Sequence, residues 1–192
     1  MVASITKEEI AELEVEVFPC RIYVVNSEEE ANKAVEELRK YKLIGFDTET
    51  KPNFKKGQKN KIALIQLSSN DFCYLFRLNK IGIPSSLKNL LHDSSITKIG
   101  LSLKDDFAAM AGRTKSEMLS FIDLQNIVGD YGIEDKSLQK IYAILFKKRI
   151  SKAQRLSNWE ADILTEAQKA YAAIDAWACL KIYNQLKEAD SR

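Results

Sequence analysis

The spacing of apolar positions changes several times along the chain, and each change marks an element. The opening stretch is acidic. Thr6 followed three residues later by Glu9 forms a capping box and predicts a short helix over 6–14. Arg21–Val25 (Arg-Ile-Tyr-Val-Val) is β-branched and aromatic, which predicts a strand. Ser27 and Glu30 repeat the capping box. Ala31, Ala34, Val35 and Leu38 then recur at helical spacing, so a helix runs to about residue 40. Three strand candidates follow at 43–49, 62–68 and 72–78, the last two separated by the turn residues Ser69, Asn70 and Asp71. Beyond Pro84 the pattern gives a helix at 85–92, a strand at 97–101, a helix at 103–112 and a strand at 121–124. Helices then continue to the end, the longest over about 165–187.

Strands that first neighbour one another and then alternate with helices predict an α/β fold. The expected architecture is a mixed sheet, an antiparallel hairpin at one side plus parallel strands, flanked by helices. No repeat or Pro/Gly-rich linker divides the 192 residues, so the chain reads as an acidic N-terminal extension (1–19) and one domain (20–192). No apolar run approaches the roughly 20 residues of a membrane span, and the acidic start is unlike a signal peptide. A cytoplasmic protein with no membrane partner is expected.

Composition narrows the chemistry. At 45% hydrophobic and 29% charged residues the chain is globular rather than disordered. Cys20, Cys73 and Cys179 are scattered, with no CxxC pair, and read as reduced, buried small hydrophobes rather than zinc ligands. His92 is the sole histidine, which excludes His-rich metal sites and any Ser-His-Asp or Cys-His centre that does not use it. Its Leu-His-Asp-Ser-Ser setting reads as a surface turn.

A formal net charge of +2 hides an asymmetry: residues 1–40 hold 5 basic and 10 acidic side chains, and residues 41–192 hold 24 and 17. Lys51, Lys55, Lys56, Lys59 and Lys61 form one basic cluster, and Lys147, Lys148, Arg149, Lys152 and Arg155 a second. Two clusters on one domain suit a polyanion, although solvated loops have the same composition.

The carboxylates are more specific. In Ile-Gly-Phe-Asp-Thr-Glu-Thr (44–50) the period of a strand puts Asp47 and Glu49 on one face, where they repel unless a cation lies between them or the strand end emerges into water. Tyr171 and Asp175, four residues apart, share one face of an alanine-rich helix. Asp105 and Asp106 open the helix that follows strand 97–101, a first turn that favours acids in any protein but is also where α/β sheets place functional groups. Four carboxylates from three elements, without His or Cys, suit a hard cation such as Mg²⁺ or Mn²⁺.

These segments also carry a family resemblance. Gly-Phe-Asp-Thr-Glu-Thr (45–50), Ile-Gly-Leu-Ser-Leu-Lys-Asp-Asp-Phe (99–107), Leu-Ser-Asn-Trp (156–159) and Leu-Thr-Glu-Ala-Gln-Lys-Ala-Tyr-Ala-Ala-Ile-Asp (164–175) resemble the motifs of the DEDD 3′–5′ exonucleases. Tyr at 171 is similar to the tyrosine subclass, the DEDDy group, nearest the Werner-syndrome exonuclease domain and ribonuclease D. The likeness spans roughly residues 20–188.

The resemblance implies a ribonuclease H-like fold for the mixed sheet and two divalent cations, Mg²⁺ or Mn²⁺. Asp47 would bridge them, Glu49 and Asp175 would complete one site, and Asp106 (with Asp105 as the alternative) would hold the second ion. Tyr171 would orient the attacking water, and Trp159 would be structural. The expected substrate is a nucleic-acid 3′ end cut to nucleoside 5′-monophosphates, DNA favoured and RNA possible. Ribonuclease D relatives usually carry further helical domains, for which 192 residues leave no room. Asp162-Ile163-Leu164 also stands where ribonuclease D has Arg-Pro-Leu, which weakens transfer of RNA specificity. A non-catalytic nucleic-acid-binding protein on the same fold is the remaining alternative. Lys51, Lys55, Lys56, Lys59, Lys61, Lys147, Lys148 and Arg149 are the candidate backbone contacts. Gln66 and Phe107 are candidates to touch the terminal nucleotide, Phe107 more simply as core.

Overall fold

The computed structural model describes residues 3–53, 60–111, 113–114 and 118–190. In chain order its elements are α1 (Lys7–Ala11), β1 (Arg21–Val25), α2 (Glu28–Leu38), β2 (Leu43–Thr50), β3 (Ile62–Ser68), β4 (Phe72–Arg77), α3 (Leu78–Ile81) and α4 (Ser85–Leu91). They continue with β5 (Thr97–Gly100), α5 (Leu103–Ala111), β6 (Phe121–Asp123), α6 (Leu138–Phe146) and α7 (Glu166–Asp190). The strands form one mixed sheet in the order β1-β4-β3-β2-β5-β6. β3 runs antiparallel to both of its neighbours, β4 and β2, whereas β1 runs parallel to β4, β5 to β2 and β6 to β5.

The hairpin therefore lies in the interior of the sheet, not at one side as the order of elements suggested. Burial explains this. Every residue of β3 is buried, so that strand needs neighbours and cover on both faces, while β1 alternates exposed and half-buried positions and serves as an edge. On one face, Ile44, Phe46, Ile65, Leu67 and Phe76 pack with α2 and α4. On the other, α7 lies across β2 and β3, and its alanines make that approach possible. A Cβ built on Gly45 would fall 1.9 Å from the Ala176 carbonyl oxygen, so glycine is required where β2 and α7 meet.

The first helix closes earlier than the capping box suggested, at Ala11, because the chain beyond it is drawn into a β-bridge between Val15 and Arg149. Between β6 and α6 the backbone makes two short 3₁₀ turns rather than a helix, and residues 147–165 are an irregular excursion before α7. His92 is half-buried at the end of α4 rather than on the surface. No helix among the described residues is long and apolar enough to cross a membrane.

Candidate active site

β2 carries its carboxylates out of the core on alternate positions. Gly45 faces α7, so Asp47 and Glu49, two and four residues on, face α7 as well. Asp175, on α7, meets them there: carboxylate oxygens of Asp47, Glu49 and Asp175 lie within 4.8 Å of one another. Thr48 points to the opposite face, where its hydroxyl donates to the Asp106 carboxylate in the first turn of α5. Asp106 is close enough for its charge to act on both Asp47 and Glu49. Asp105 is exposed, so the structure brings Asp106, not its neighbour, to this cluster.

The start of α5 is itself held. The Asp123 carboxylate, at the end of β6, accepts from the backbone N–H groups of Ser102 and Leu103, each at 2.9 Å. Ser102 has φ +60°, a left-handed conformation that costs a non-glycine residue energy and that this cap restrains. Asp123 therefore positions the turn from which Asp106 projects.

Electrostatics mark the cluster as uncompensated. Burial, then the charges of Asp175, Glu49 and Asp106, push the Asp47 carboxyl well above the usual range. Burial, then Asp175 and Asp106, raise Glu49 to about 9. Burial raises Asp175 to about 7 against the opposing charge of Lys152, and Asp106 to about 6 against the hydrogen bond from Thr48. The Cys179 thiol is pushed up by burial and by the same acids, so it stays protonated and offers no thiolate ligand. A gathering of oxygen donors that repel one another fits a hard divalent cation, and Asp47, Glu49 and Asp175, with Asp106 beside them, are the residues that would hold it.

Tyr171 lies one helical turn before Asp175. Its ring packs 5.8 Å from that of Trp159, which is fully buried. Burial, then the charges of Asp175, Glu49 and Asp47, raise its pKa, so the phenol remains a hydrogen-bond donor. A cleft of about 430 Å³ opens on this side, lined in part by Ser102, Gln139, Lys152, Arg155, Tyr171 and Asp175.

The other candidates are placed as follows. Lys55, Lys56 and Lys59 lie outside the described residues. Lys51 pairs with Glu160 at 3.7 Å, Asn60 donates to the Lys51 carbonyl at 2.8 Å, and Lys61 is exposed. Lys147 is exposed at the end of α6. Lys148 pairs with Glu16 at 3.0 Å and Arg149 Nε donates to the Leu13 carbonyl at 2.9 Å, so these two face the N-terminal segment and not the cleft. Lys152 and Arg155 of the same cluster are the ones that line the cleft. Sequence reading singled out the cluster but not these two, because nothing local distinguishes which lysines are engaged by a segment more than a hundred residues away. Gln66 is fully buried, which removes it as a contact to a nucleotide, and Phe107 packs edge-on against Phe121 at 5.0 Å as core. The carbonyls of Ala161 and Asp162 accept hydrogen bonds from the buried Arg77 guanidinium, and Ile163, in the next position, is 84% exposed.

A mixed sheet that gathers three carboxylates, with a fourth acting on them and a tyrosine one helical turn away, defines a class of nucleases, and the comparisons with known proteins agree. Residues 22–189 match the 3′–5′ exonuclease family. The chain is 35% identical, over 75% of its length, to the bifunctional 3′–5′ exonuclease/ATP-dependent helicase WRN of Mus musculus, and 32% identical, over 86%, to exonuclease 3′–5′ domain-containing protein 2 of Drosophila melanogaster. It spans 11% and 30% of the lengths of those two relatives. The Aedes aegypti Nibbler EXO domain superposes with a TM-score of 0.83 at 20% identity, covering 92% of this chain and 93% of that one. Escherichia coli RNase D superposes with a TM-score of 0.79 at 24% identity, covering 89% of this chain and 46% of that one. This chain belongs to the 3′–5′ exonuclease family.

Proposed function

We propose that the chain hydrolyses the terminal phosphodiester at the 3′ end of DNA and releases nucleoside 5′-monophosphates, using two divalent cations, Mg²⁺ or Mn²⁺. The observation that carries this reading is the convergence of Asp47, Glu49 and Asp175, with the charge of Asp106 acting on the first two, where Asp175 lines the cleft. Asp47 would contribute to both cation sites, Glu49 and Asp175 to one, and Asp106 to the other. When bound, such ions lower the pKa of water and neutralise charge that develops on the scissile phosphate. Tyr171 supplies a neutral hydroxyl that donates a hydrogen bond and orients the attacking water against Asp175 and Glu49. Lys152 and Arg155 carry positive charge to the cleft that Tyr171 and Asp175 also line, where a phosphate backbone would lie.

The relatives at 30% identity or more are named as 3′–5′ exonucleases, and the superposed structures named as ribonuclease D or RRP6 are 16–24% identical and speak for the fold alone; the preference for DNA rests on the departure at residues 162–164. In Asp162-Ile163-Leu164 the Asp162 side chain is exposed and adds negative rather than positive charge there. A cytoplasmic setting belongs to the same proposal and is supported by three free thiols. The test is a gel assay with 5′-labelled single-stranded DNA, recessed duplex DNA and RNA, each with Mg²⁺, Mn²⁺ or EDTA. A metal-dependent ladder from the 3′ end, strongest on DNA, is the expected result. A stronger ladder on RNA would reverse the substrate, and no cleavage by folded protein would overturn the activity.

A further inference from the structure

The family match begins at residue 22, yet the segment before it is tied to the wall of the cleft. Its centre is Glu16, whose side chain is only 8% exposed. Glu16 accepts from the Tyr142 hydroxyl at 2.5 Å, from Lys148 Nζ at 3.0 Å and from Lys181 Nζ at 3.4 Å. Lys181 in turn donates to the Tyr142 hydroxyl at 2.8 Å and lies over the rings of Phe146 and Trp177, at 4.4 and 4.6 Å. Phe18 meets Trp177 edge-on at 5.9 Å. The segment is thus anchored to α6 and α7 by a charged hub and an aromatic contact.

From this anchor it grips Lys148 and Arg149. The Glu16 N–H donates to the Arg149 carbonyl at 2.8 Å, the Arg149 N–H donates to the Glu14 carbonyl at 2.9 Å, and the Arg149 guanidinium reaches the Leu13 carbonyl. Three residues past Arg149 the chain closes a tight turn, with Arg155 N–H donating to the Lys152 carbonyl at 3.1 Å. The exposed ends of that turn, Lys152 and Arg155, are the cationic side chains beside Tyr171 and Asp175. Residues 147–165 hold no helix or strand, so their position depends on such ties.

We infer that the acidic N-terminal segment, through Glu16, is a positioning element of the substrate-binding site: it holds the 148–155 segment so that Lys152 and Arg155 face the nucleic-acid backbone. The inference rests on the proposed role of those two side chains, and it assigns the charge of Glu16 to an intramolecular partner. Glu16 touches no reacting atom. Its removal acts on binding and leaves the chemical step alone.

The test is a double-mutant cycle in the full chain on single-stranded DNA, with Glu16→Ala, the pair Lys152→Ala/Arg155→Ala, and all three changes together. Glu16→Ala is expected to raise KM about fivefold with kcat within about twofold, equivalent to about 1 kcal/mol of binding. The basic-pair variant is expected to raise KM at least as much, and adding Glu16→Ala to it to change KM no further, because residues that act as one unit are not additive. Glu16→Asp is expected to recover part of the loss, and Tyr142→Phe, which removes one of the Glu16 partners, serves if Glu16→Ala does not fold. An unchanged KM in folded Glu16→Ala, or effects that multiply in the combined variant, overturns the inference. An unchanged KM in the basic-pair variant alone overturns the assignment of Lys152 and Arg155 instead, and with it the route proposed for Glu16.

Discussion

Two buried acid centres lie on α7 and its neighbours, and they are solved in opposite ways. At Glu16, burial by itself would raise the carboxyl pKa, but hydrogen bonds from Tyr142 and Lys148 and the charge of Lys181 overcome it and hold the group below its ordinary value of 4.5. At Asp47, Glu49 and Asp175 the one opposing charge among the described residues, Lys152 near Asp175, does not balance the cluster: burial drives all three carboxyls upward, and repulsion from neighbouring acids adds to it at Asp47 and Glu49. The first centre neutralises its charge within the chain and contributes to folding. The second leaves its charge to be neutralised by something that binds, and it destabilises the fold until that happens. A buried carboxylate is thus structural or functional according to whether the chain supplies its counter-charge.

The comparison can be broken most severely at Asp47. Asp47→Asn keeps the shape and removes one charge, and it is expected to lower kcat about a thousandfold or more, several kcal/mol of charge stabilisation. The same substitution is expected to raise the melting temperature of the EDTA-treated protein, because it relieves repulsion. A melting temperature that falls would mean the acids are compensated after all. Next in size is Tyr171→Phe, which retains the ring against Trp159 and is expected to lower kcat about a hundredfold while leaving Mn²⁺ affinity unchanged. An unchanged turnover would remove the hydroxyl from the reaction.

Gly45→Ala places a methyl group against the Ala176 carbonyl and is expected to destabilise the fold by about 1–3 kcal/mol through overpacking, read by chemical denaturation. Glu16→Gln, which removes the charge but not the shape of the compensated centre, is expected to cost about 1.5–3 kcal/mol, the range for hydrogen bonds to a charged group.

The smallest effects sharpen the contrast most. Carboxyls raised from 3.8 to about 7 at Asp175 and from 4.5 to about 9 at Glu49 bind more protons in the native than in the unfolded state, so the stability of the metal-free protein falls as pH rises across that window. Glu16 has the opposite sign. Its contribution is complete above 4.5 and is lost as pH falls through its lowered native value. Melting temperatures in EDTA across pH 3–9 should therefore lose only the Asp47 part of their alkaline fall in Asp47→Asn, since burial still raises Glu49 and Asp175, and part of their acid fall in Glu16→Gln. A saturating divalent cation should abolish the alkaline fall in the wild-type protein. A cation effect that is the same at pH 5 and pH 8 would contradict this assignment.

What could be read from the chain follows from the range of each interaction. Asp47 with Glu49 and Tyr171 with Asp175 are related by strand and helix periodicity, so sequence alone put each pair on one face, and the structure then joined the pairs through α7 crossing β2. The resemblance favoured Asp106 and left Asp105 as the alternative; the direction of α5, whose start the Asp123 carboxylate holds, turns Asp106 inward and leaves Asp105 exposed. The interior position of the hairpin depended on where β1 inserts. That follows from burial on both faces of β3 and not from the order of elements. The engagement of Lys148 and Arg149 by the N-terminal segment was hidden because their partners lie 132 and 136 residues away. Charge clustering identified a basic segment, but only tertiary packing decided which of its side chains reach the cleft.

The most direct test of the central claim is calorimetric titration of Mn²⁺ into EDTA-stripped protein, wild type against Asp47→Asn. Saturable uptake by the wild type, weakened at least about tenfold in the variant, is the result that follows from an uncompensated cation site at Asp47, Glu49 and Asp175. Equal affinity in the two proteins, or no uptake by folded wild type, would contradict it.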